Sequence, residues 1–287
     1  MTEQSSAGQR DTQQADAAQF AVAPDAVLLT ESPSVLALTL AYEGTHFSGF
    51  ARQEGQSTVQ GELERALKTV FHREVLTVGA GRTDAGVHAL GNVVSLELLP
   101  EELEERSFDR LQSALNALTP DTMVVKRVEQ KEAGFSARFS AQSREYRYRF
   151  YRSKTPPIFL EPYVWWVKTD QPLDITAMKK AVKYFEGEHD FRSFCVAKSA
   201  DLGPTQRNIS KVLVFGMQHL GEHCMVVQII GNAFLHSMVR VMVGTLMEVA
   251  QRKQEPEWIL DVLEARDRRA AGQTAPAKGL TLWRVNY

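Results

Sequence analysis

Gly79-Ala80-Gly81-Arg82-Thr83-Asp84-Ala85-Gly86-Val87-His88 is the segment of the chain best equipped for chemistry. It sets a carboxylate, Asp84, two positions from a guanidinium, Arg82, among glycines that allow a ligand's backbone to approach closely. A glycine-rich phosphate loop would open a helix whose N-terminal amides hold the anion, but strand-like residues follow here, so that reading is rejected. Two others stay open on composition: a surface turn with Asp84 as its turn residue, and a loop presenting Asp84 and Arg82 to a ligand. His88, His236 and the other histidines are not spaced as metal ligands. Cys195 and Cys224 lie far apart without the paired spacing of a zinc site, and both read as buried small hydrophobes. No metal and no cofactor is expected.

Such a loop needs elements to hold it. Leu36, Leu38, Leu40 and Tyr42 alternate as a half-buried strand. Ser57 and Gln60 form a capping-box pattern before Val59, Leu63, Ala66, Leu67 and Val70, which share a helical face. Strand-like runs at 75–80 and 92–98 flank the glycine loop, a helix capped by Ser107 follows, and Pro120-Asp121 turns into a strand at 123–129. The order β-α-β-β-α-β then recurs approximately: strands at 144–152 and 163–167, a helix from Asp174 to Glu186, strands near 208–216 and 223–230, a long helix near 233–252, a short helix opened by Pro256 and a strand at 280–286. This predicts an α+β protein of two related ferredoxin-like halves, residues 32–134 and 135–287, each an antiparallel sheet with helices on one face. A ligand cleft is expected between them.

The 287 residues carry 33 basic and 35 acidic side chains, a formal charge of -2, which lacks the strong positive balance of a simple nucleic-acid binder. The charge is unevenly spread. Residues 1–31 hold five acids and one base with few large apolar residues, and are expected to be a disordered tail. Glu97, Glu101, Glu102, Glu104, Glu105 and Asp109 form a second acidic stretch, read as a solvated face. At 135–154, in contrast, Arg138, Arg144, Arg147, Arg149, Arg152 and Lys154 oppose Glu145 alone and are interleaved with aromatics. No apolar run approaches the roughly 20 residues that cross a bilayer, and the N-terminus lacks the basic start and apolar stretch of a signal peptide. A cytoplasmic location without membrane contact is expected.

Gly81-Arg82-Thr83-Asp84-Ala85-Gly86-Val87-His88, with Gly91 and Val93-Val94, resembles the signature of the tRNA pseudouridine synthase A family. Further segments agree in order and spacing: Phe135-Ser136-Ala137-Arg138-Phe139-Ser140-Ala141, Arg144-Glu145-Tyr146-Arg147-Tyr148, Asn232-Ala233-Phe234-Leu235-His236-Ser237-Met238-Val239-Arg240, Gly244-Thr245-Leu246-Met247-Glu248-Val249 and Ala275-Pro276-Ala277-Lys278-Gly279-Leu280. The resemblance spans roughly residues 35–287. It implies that Asp84 is the catalytic carboxylate of a cofactor-independent isomerase that converts uridine to pseudouridine at positions 38, 39 and 40 of the tRNA anticodon arm, and that the enzyme is a homodimer. Attack on C1′, addition to the uracil ring and removal of the C2′ proton all remain open for Asp84.

The resemblance also implies roles for other residues. A bound nucleoside shields Asp84 from water, which disfavours a charge, and a fixed cation opposes that. Arg240 is the matched candidate, on an almost wholly apolar stretch that favours a partly buried, paired arginine over a surface one. Tyr146, Tyr148 and Phe150 share one strand face, ordinary core packing when read alone; the resemblance moves Tyr146 against the target uracil, by stacking or as a proton acceptor. Leu280 matches the apolar residue beneath the base. Arg82 is expected either to hold a phosphate or to fill the gap left by an extruded uridine. Arg138 and a subset of the neighbouring arginines are expected to grip the backbone. His236 is read as a helical residue one turn before Arg240 that orients or packs. Two positions depart from the family pattern: Phe50 stands where a Trp is usual, and Ser136 where a His is usual. Two competing readings are a non-catalytic RNA-binding protein on the same scaffold, which would lack the carboxylate that is present here, and a synthase acting on another RNA.

Overall fold

The computed structural model describes residues 34–104, 107–196, 201, 203–219 and 221–287. The acidic segment 1–31 lies outside the described residues. The first part of the chain forms β1 (Ser34–Tyr42), α1 (Val59–Phe71), β2 (Thr77–Gly79), β3 (His88–Leu98), α2 (Pro100–Glu104), α3 (Phe108–Leu118) and β4 (Met123–Lys131). The second forms β5 (Ser143–Ser153), β6 (Trp165–Lys168), α4 (Ile175–Ala181), β7 (Gly187–Asp190), β8 (Gln206–His219), β9 (Glu222–Gly231), α5 (Met238–Ala250), α6 (Trp258–Ala265) and β10 (Leu280–Asn286). The architecture is mixed α+β, as the sequence indicates.

Among the described residues, all ten strands belong to one sheet, ordered β4-β1-β3-β10-β5-β9-β8-β7, with β2 on β3 and β6 on β5. The expectation of antiparallel pairing holds for most neighbours but not for β3/β10 and β5/β6, which are parallel. At the first of these, Thr281 faces His88 and Leu282 faces Ala89. The last strand of the chain is thus inserted between β3 and β5, antiparallel to β5, and joins the two parts. All four residues of this short parallel seam are buried, as parallel pairing requires.

The core explains most elements. Leu36, Leu38 and Leu40 of β1, Tyr148 and Phe150 of β5, and Val227 and Ile229 of β9 share one apolar cluster with residues of α1, α3, α4, α5 and α6. On β1, Ala37 instead contacts a smaller cluster with Ala80, Val93 and Ala137. Helix starts follow local chemistry: Ser107 caps α3 as expected, and Asp174 accepts from the Ala177 amide at 2.9 Å to open α4. Helix α1 starts one residue later than the capping-box pattern indicates. Its cap is Thr58, which accepts from the Gly61 amide at 3.2 Å, while Gln60 is drawn away to donate to the Thr77 carbonyl at 3.0 Å.

Helix α5 is apolar nearly all round and buried, with Arg240 and Glu248 its two residues not buried. Gly244 lets the segment 272–275 cross α5 in contact. A Cβ there would lie 1.7 Å from the Gln273 carbonyl oxygen. Gly244→Ala is therefore expected to lower stability by about 3 kcal/mol through overpacking, measured by urea unfolding. An alanine variant as stable as the wild type would contradict this close crossing.

Candidate active site

The loop 80–87 is pinned at both ends. The Ala80 amide donates to the Val93 carbonyl at 2.8 Å, Asn92 Nδ2 donates to the Gly81 carbonyl at 3.0 Å, and the Phe50 amide donates to the Thr83 carbonyl at 3.0 Å. The Thr83 hydroxyl is buried against the Tyr42 hydroxyl at 2.8 Å, where burial pushes the Tyr42 phenol up to about 12. Gly86 takes a φ of 78°, in the left-handed region that favours glycine, and the Val87 amide closes the turn on the Asp84 carbonyl at 3.1 Å. With Thr83 anchored inward, its neighbour Asp84 is left only partly buried.

Three side chains from the start of α5 and the segment before it reach that carboxylate. Arg240 Nη1 donates to Asp84 Oδ2 at 2.7 Å, the Ser237 hydroxyl donates to the same oxygen at 2.8 Å, and His236 Nε2 lies 3.2 Å from Oδ1. Arg240 is itself held, since its Nε donates to the Ala275 carbonyl at 2.8 Å and the Ala275 amide returns a bond to the Arg240 carbonyl at 3.1 Å. The Asp84 and Arg240 side chains are 18% and 19% exposed, so each offsets the other's charge where solvation is reduced. The sequence-expected ion pair between the glycine loop and the long helix is therefore formed.

The environment of His236 corrects an expectation. Helix α5 begins at Met238 rather than near 233, because Ser237 adopts a left-handed conformation with φ 59° that a helix cannot include. His236 therefore precedes the helix, half exposed, and meets Asp84 directly. Ser237 fell within the expected helix, and its turn toward Asp84 was not legible.

Tyr146 is buried, with its ring edge-on to Phe234 at a centroid distance of 4.9 Å, and faces Leu282 across β10. Burial pushes its phenol well above the ordinary tyrosine value. A Cβ on Gly81 would lie 3.0 Å from Leu282 and 3.5 Å from the Tyr146 hydroxyl, so Gly81 brings the Asp84 loop down onto this pair. Leu280 is buried two residues away, paired with Tyr148.

Arg82 and Arg138 are exposed, with the Arg138 guanidinium 5.1 Å from the ring centre of Phe139. The further arginines of 135–154 meet protein partners. Arg147 stacks on Trp283 at 3.8 Å and pairs with buried Glu145 at 2.8 Å, and Arg149 donates to Thr281 at 3.0 Å. Arg144 donates to the carbonyls of Ala80, Arg138 and Asn232, at distances from 2.6 to 3.2 Å, tying the Asp84 loop to the other segments that flank it. Arg152 is exposed but donates to the carbonyls of Asp170 and Gln171. The departures from the family pattern are absorbed: Phe50 is buried against Gly79, and Ser136 accepts from the Phe139 amide. Among the described residues, no group of three or more His, Cys, Asp or Glu side chains is arranged to hold a metal, and no helix is long and apolar enough to cross a membrane.

His88 closes the motif with a structural task. Its Nδ1 accepts from the Gly44 amide at 3.0 Å, so Nε2 carries the proton toward the carbonyls of Pro162 and Lys278, each at 3.1 Å. Burial pushes this imidazole below its ordinary value, against the pull of Glu43 at 3.5 Å.

Comparison with known proteins points to one family. Residues 39–140 and 181–287 match a family model described as tRNA pseudouridine synthase. A tRNA pseudouridine synthase A of Geobacillus sp. (strain WCH70) is 44% identical over 250 residues, covering 87% of this chain and 96% of the relative. One of Brevibacillus brevis (strain 47) is 42% identical over 252 residues, covering 88% and 99%.

The neutral His88 ring makes stability depend on pH. The unfolded chain takes up this proton near about 6.5, whereas the folded protein resists it to lower pH. The contribution is complete above the unfolded value and is lost as pH falls through it toward the folded one. Thermal unfolding between about pH 7.5 and 5.5 is expected to show a steeper loss in the wild type than in His88→Gln, whose amide offers the same acceptor and donor. Equal slopes would contradict a built-in neutral ring.

Proposed function

The chain belongs to the tRNA pseudouridine synthase family, and from that premise we propose that Asp84 is the carboxylate through which it isomerises uridine to pseudouridine. The observation that carries this is the Asp84–Arg240 pair at 2.7 Å, on the loop that Gly81 brings onto Tyr146. The reaction breaks N1–C1′ and forms C5–C1′; the C5 proton leaves and N1 gains one. It consumes and produces no other group and is redox-neutral, so its balance requires no cofactor. Glycoside hydrolysis generally uses two carboxylates because water must be activated, whereas here the base returns to its own ribose.

In this reading Tyr146 lies against the uracil as a neutral phenol, in keeping with its upward shift, and Leu280 supports the stack from within the sheet. Arg82, exposed in the same loop, holds a phosphate or fills the space of the extruded uridine, and Arg138 contacts the backbone. The substrate is the anticodon arm of tRNA, at positions 38, 39 and 40, and the enzyme works in the cytoplasm. Residues 32–134 and 135–287 are two ferredoxin-like halves meeting at β3/β10, and the RNA lies in the cleft between them. A homodimer belongs to the same proposal. It is supported by exposed apolar Leu90 and Val124 beside a pocket of about 570 Å³, surface that a second copy would cover.

Mapping pseudouridine in tRNA from cells lacking this protein tests the function. Loss confined to the anticodon arm is expected, and restoration by the wild-type protein. An unchanged map would overturn the reading, and loss elsewhere would redirect the substrate.

Arg240→Met is expected to reduce turnover about 100-fold or more while tRNA binding stays within a few-fold, because the cation acts on the reacting carboxylate. Tritium release from tRNA labelled at uridine C5, read beside filter binding, checks it; normal turnover would show that the ion pair is dispensable. Binding should also weaken steeply with salt, with Arg82→Ala and Arg138→Ala each lowering the log–log slope by about 1 if each meets a phosphate. An unchanged slope in either variant would remove that residue from the phosphate contacts.

A further inference from the structure

Ser237 stands immediately before α5, where a serine ordinarily takes an extended backbone and accepts a hydrogen bond from the first helical turn. It does neither. Its φ of 59° and ψ of 8° are left-handed, and its side chain makes no capping bond. The left-handed region is uncommon for residues other than glycine and persists where surrounding contacts fix it. Here the Val241 amide donates to the Ser237 carbonyl at 3.0 Å, the Met238 amide donates to the Leu235 carbonyl at 3.1 Å, and the side chain is directed away from the helix onto Asp84.

The two oxygens of Asp84 are consequently unlike. Oδ2 accepts from Ser237 at 2.8 Å and from Arg240 Nη1 at 2.7 Å, and Arg240 is anchored in turn on the Ala275 carbonyl. Among the described residues, the side chain that meets Oδ1 is His236, at 3.2 Å, which is 55% exposed and which an arriving nucleoside can displace. A carboxylate oxygen holding two short charge-assisted bonds has its lone pairs occupied, and its free basicity resides in the other.

We propose that Ser237 is a positioning residue that, together with Arg240, fixes Asp84 through Oδ2 and leaves Oδ1 as the oxygen that reacts. The inference rests on the reading of Asp84 as the catalytic carboxylate. In each of the three routes open to Asp84, Oδ1 forms the new bond: to C1′ as the N1–C1′ electron pair leaves with the uracil, to C6 of the uracil ring as the C5=C6 π pair moves onto C5, or to the C2′ proton as the C2′–H pair becomes the C1′=C2′ double bond and the N1–C1′ pair leaves with the uracil. Ser237 enters none of these bonds. It acts by holding the carboxylate plane.

Glycine, alanine and asparagine at position 237 separate the hydroxyl from the backbone. Ser237→Gly accepts the left-handed conformation without the donor. It is expected to melt within about 2 °C of the wild type or above it, while kcat falls about tenfold or more and KM stays within about twofold. Ser237→Ala should lose kcat equally and also melt lower, since alanine pays the positive φ. Ser237→Asn tolerates that φ and carries an amide donor, and is expected to recover part of the lost kcat. Wild-type kcat in Ser237→Gly, with Asp84→Asn inactive in the same assay, would overturn the positioning role alone. Turnover by Asp84→Asn would remove the catalytic reading and this inference with it.

Discussion

Asp84 and Arg240 are 156 positions apart in sequence and 2.7 Å apart in the folded chain, and much of the architecture serves that approach. The carboxylate comes from a glycine loop between β2 and β3, and the guanidinium from the first turn of a buried apolar helix. Neither group is fully buried. Desolvation therefore stays short of the regime in which a closed ion pair costs more than it returns, and a substrate retains access to the carboxylate.

Three features hold it together. The strand β10, last in sequence, is inserted between β3 and β5, so that the strand leaving the Asp84 loop and the strand bearing Tyr146 share one neighbour. The segment leading into β10 crosses α5 at Gly244 and exchanges hydrogen bonds with Arg240 through Ala275. Arg144 joins the carbonyls of residues 80, 138 and 232, fixing the loop edges that surround the carboxylate. An arginine suits that task because its planar fork addresses several acceptors at once, which a lysine cannot reproduce. The chain thus devotes two of its arginines to orienting one aspartate.

Much of this was legible in the sequence. Leu36, Leu38 and Leu40 announced β1 by their alternation, the stretch near 233–252 announced a long helix, and the family resemblance, with the apolar surroundings of Arg240, indicated its pairing with Asp84. What escaped was long-range or depended on backbone detail. The parallel seam between β3 and β10 follows from where the two parts of the chain meet, which local periodicity does not encode. In the basic stretch at 135–154 only a subset of the arginines was expected to face a ligand, and the sequence did not say which ones meet protein: Arg147 lies against Trp283 and Glu145, and Arg149 against Thr281. Ser237 fell inside the expected helix, and only its positive φ revealed its use. His236 was shifted out of the helix by that same residue.

The central claim is that the Asp84 carboxylate itself performs the chemistry that the rest of the site positions. Its most direct test is a single-turnover measurement of tritium release from tRNA labelled at uridine C5 by Asp84→Asn, an isosteric change that removes the charge, with binding of the same tRNA measured alongside. The account predicts no release above background and a dissociation constant close to that of the wild type. Release at the wild-type rate would contradict it.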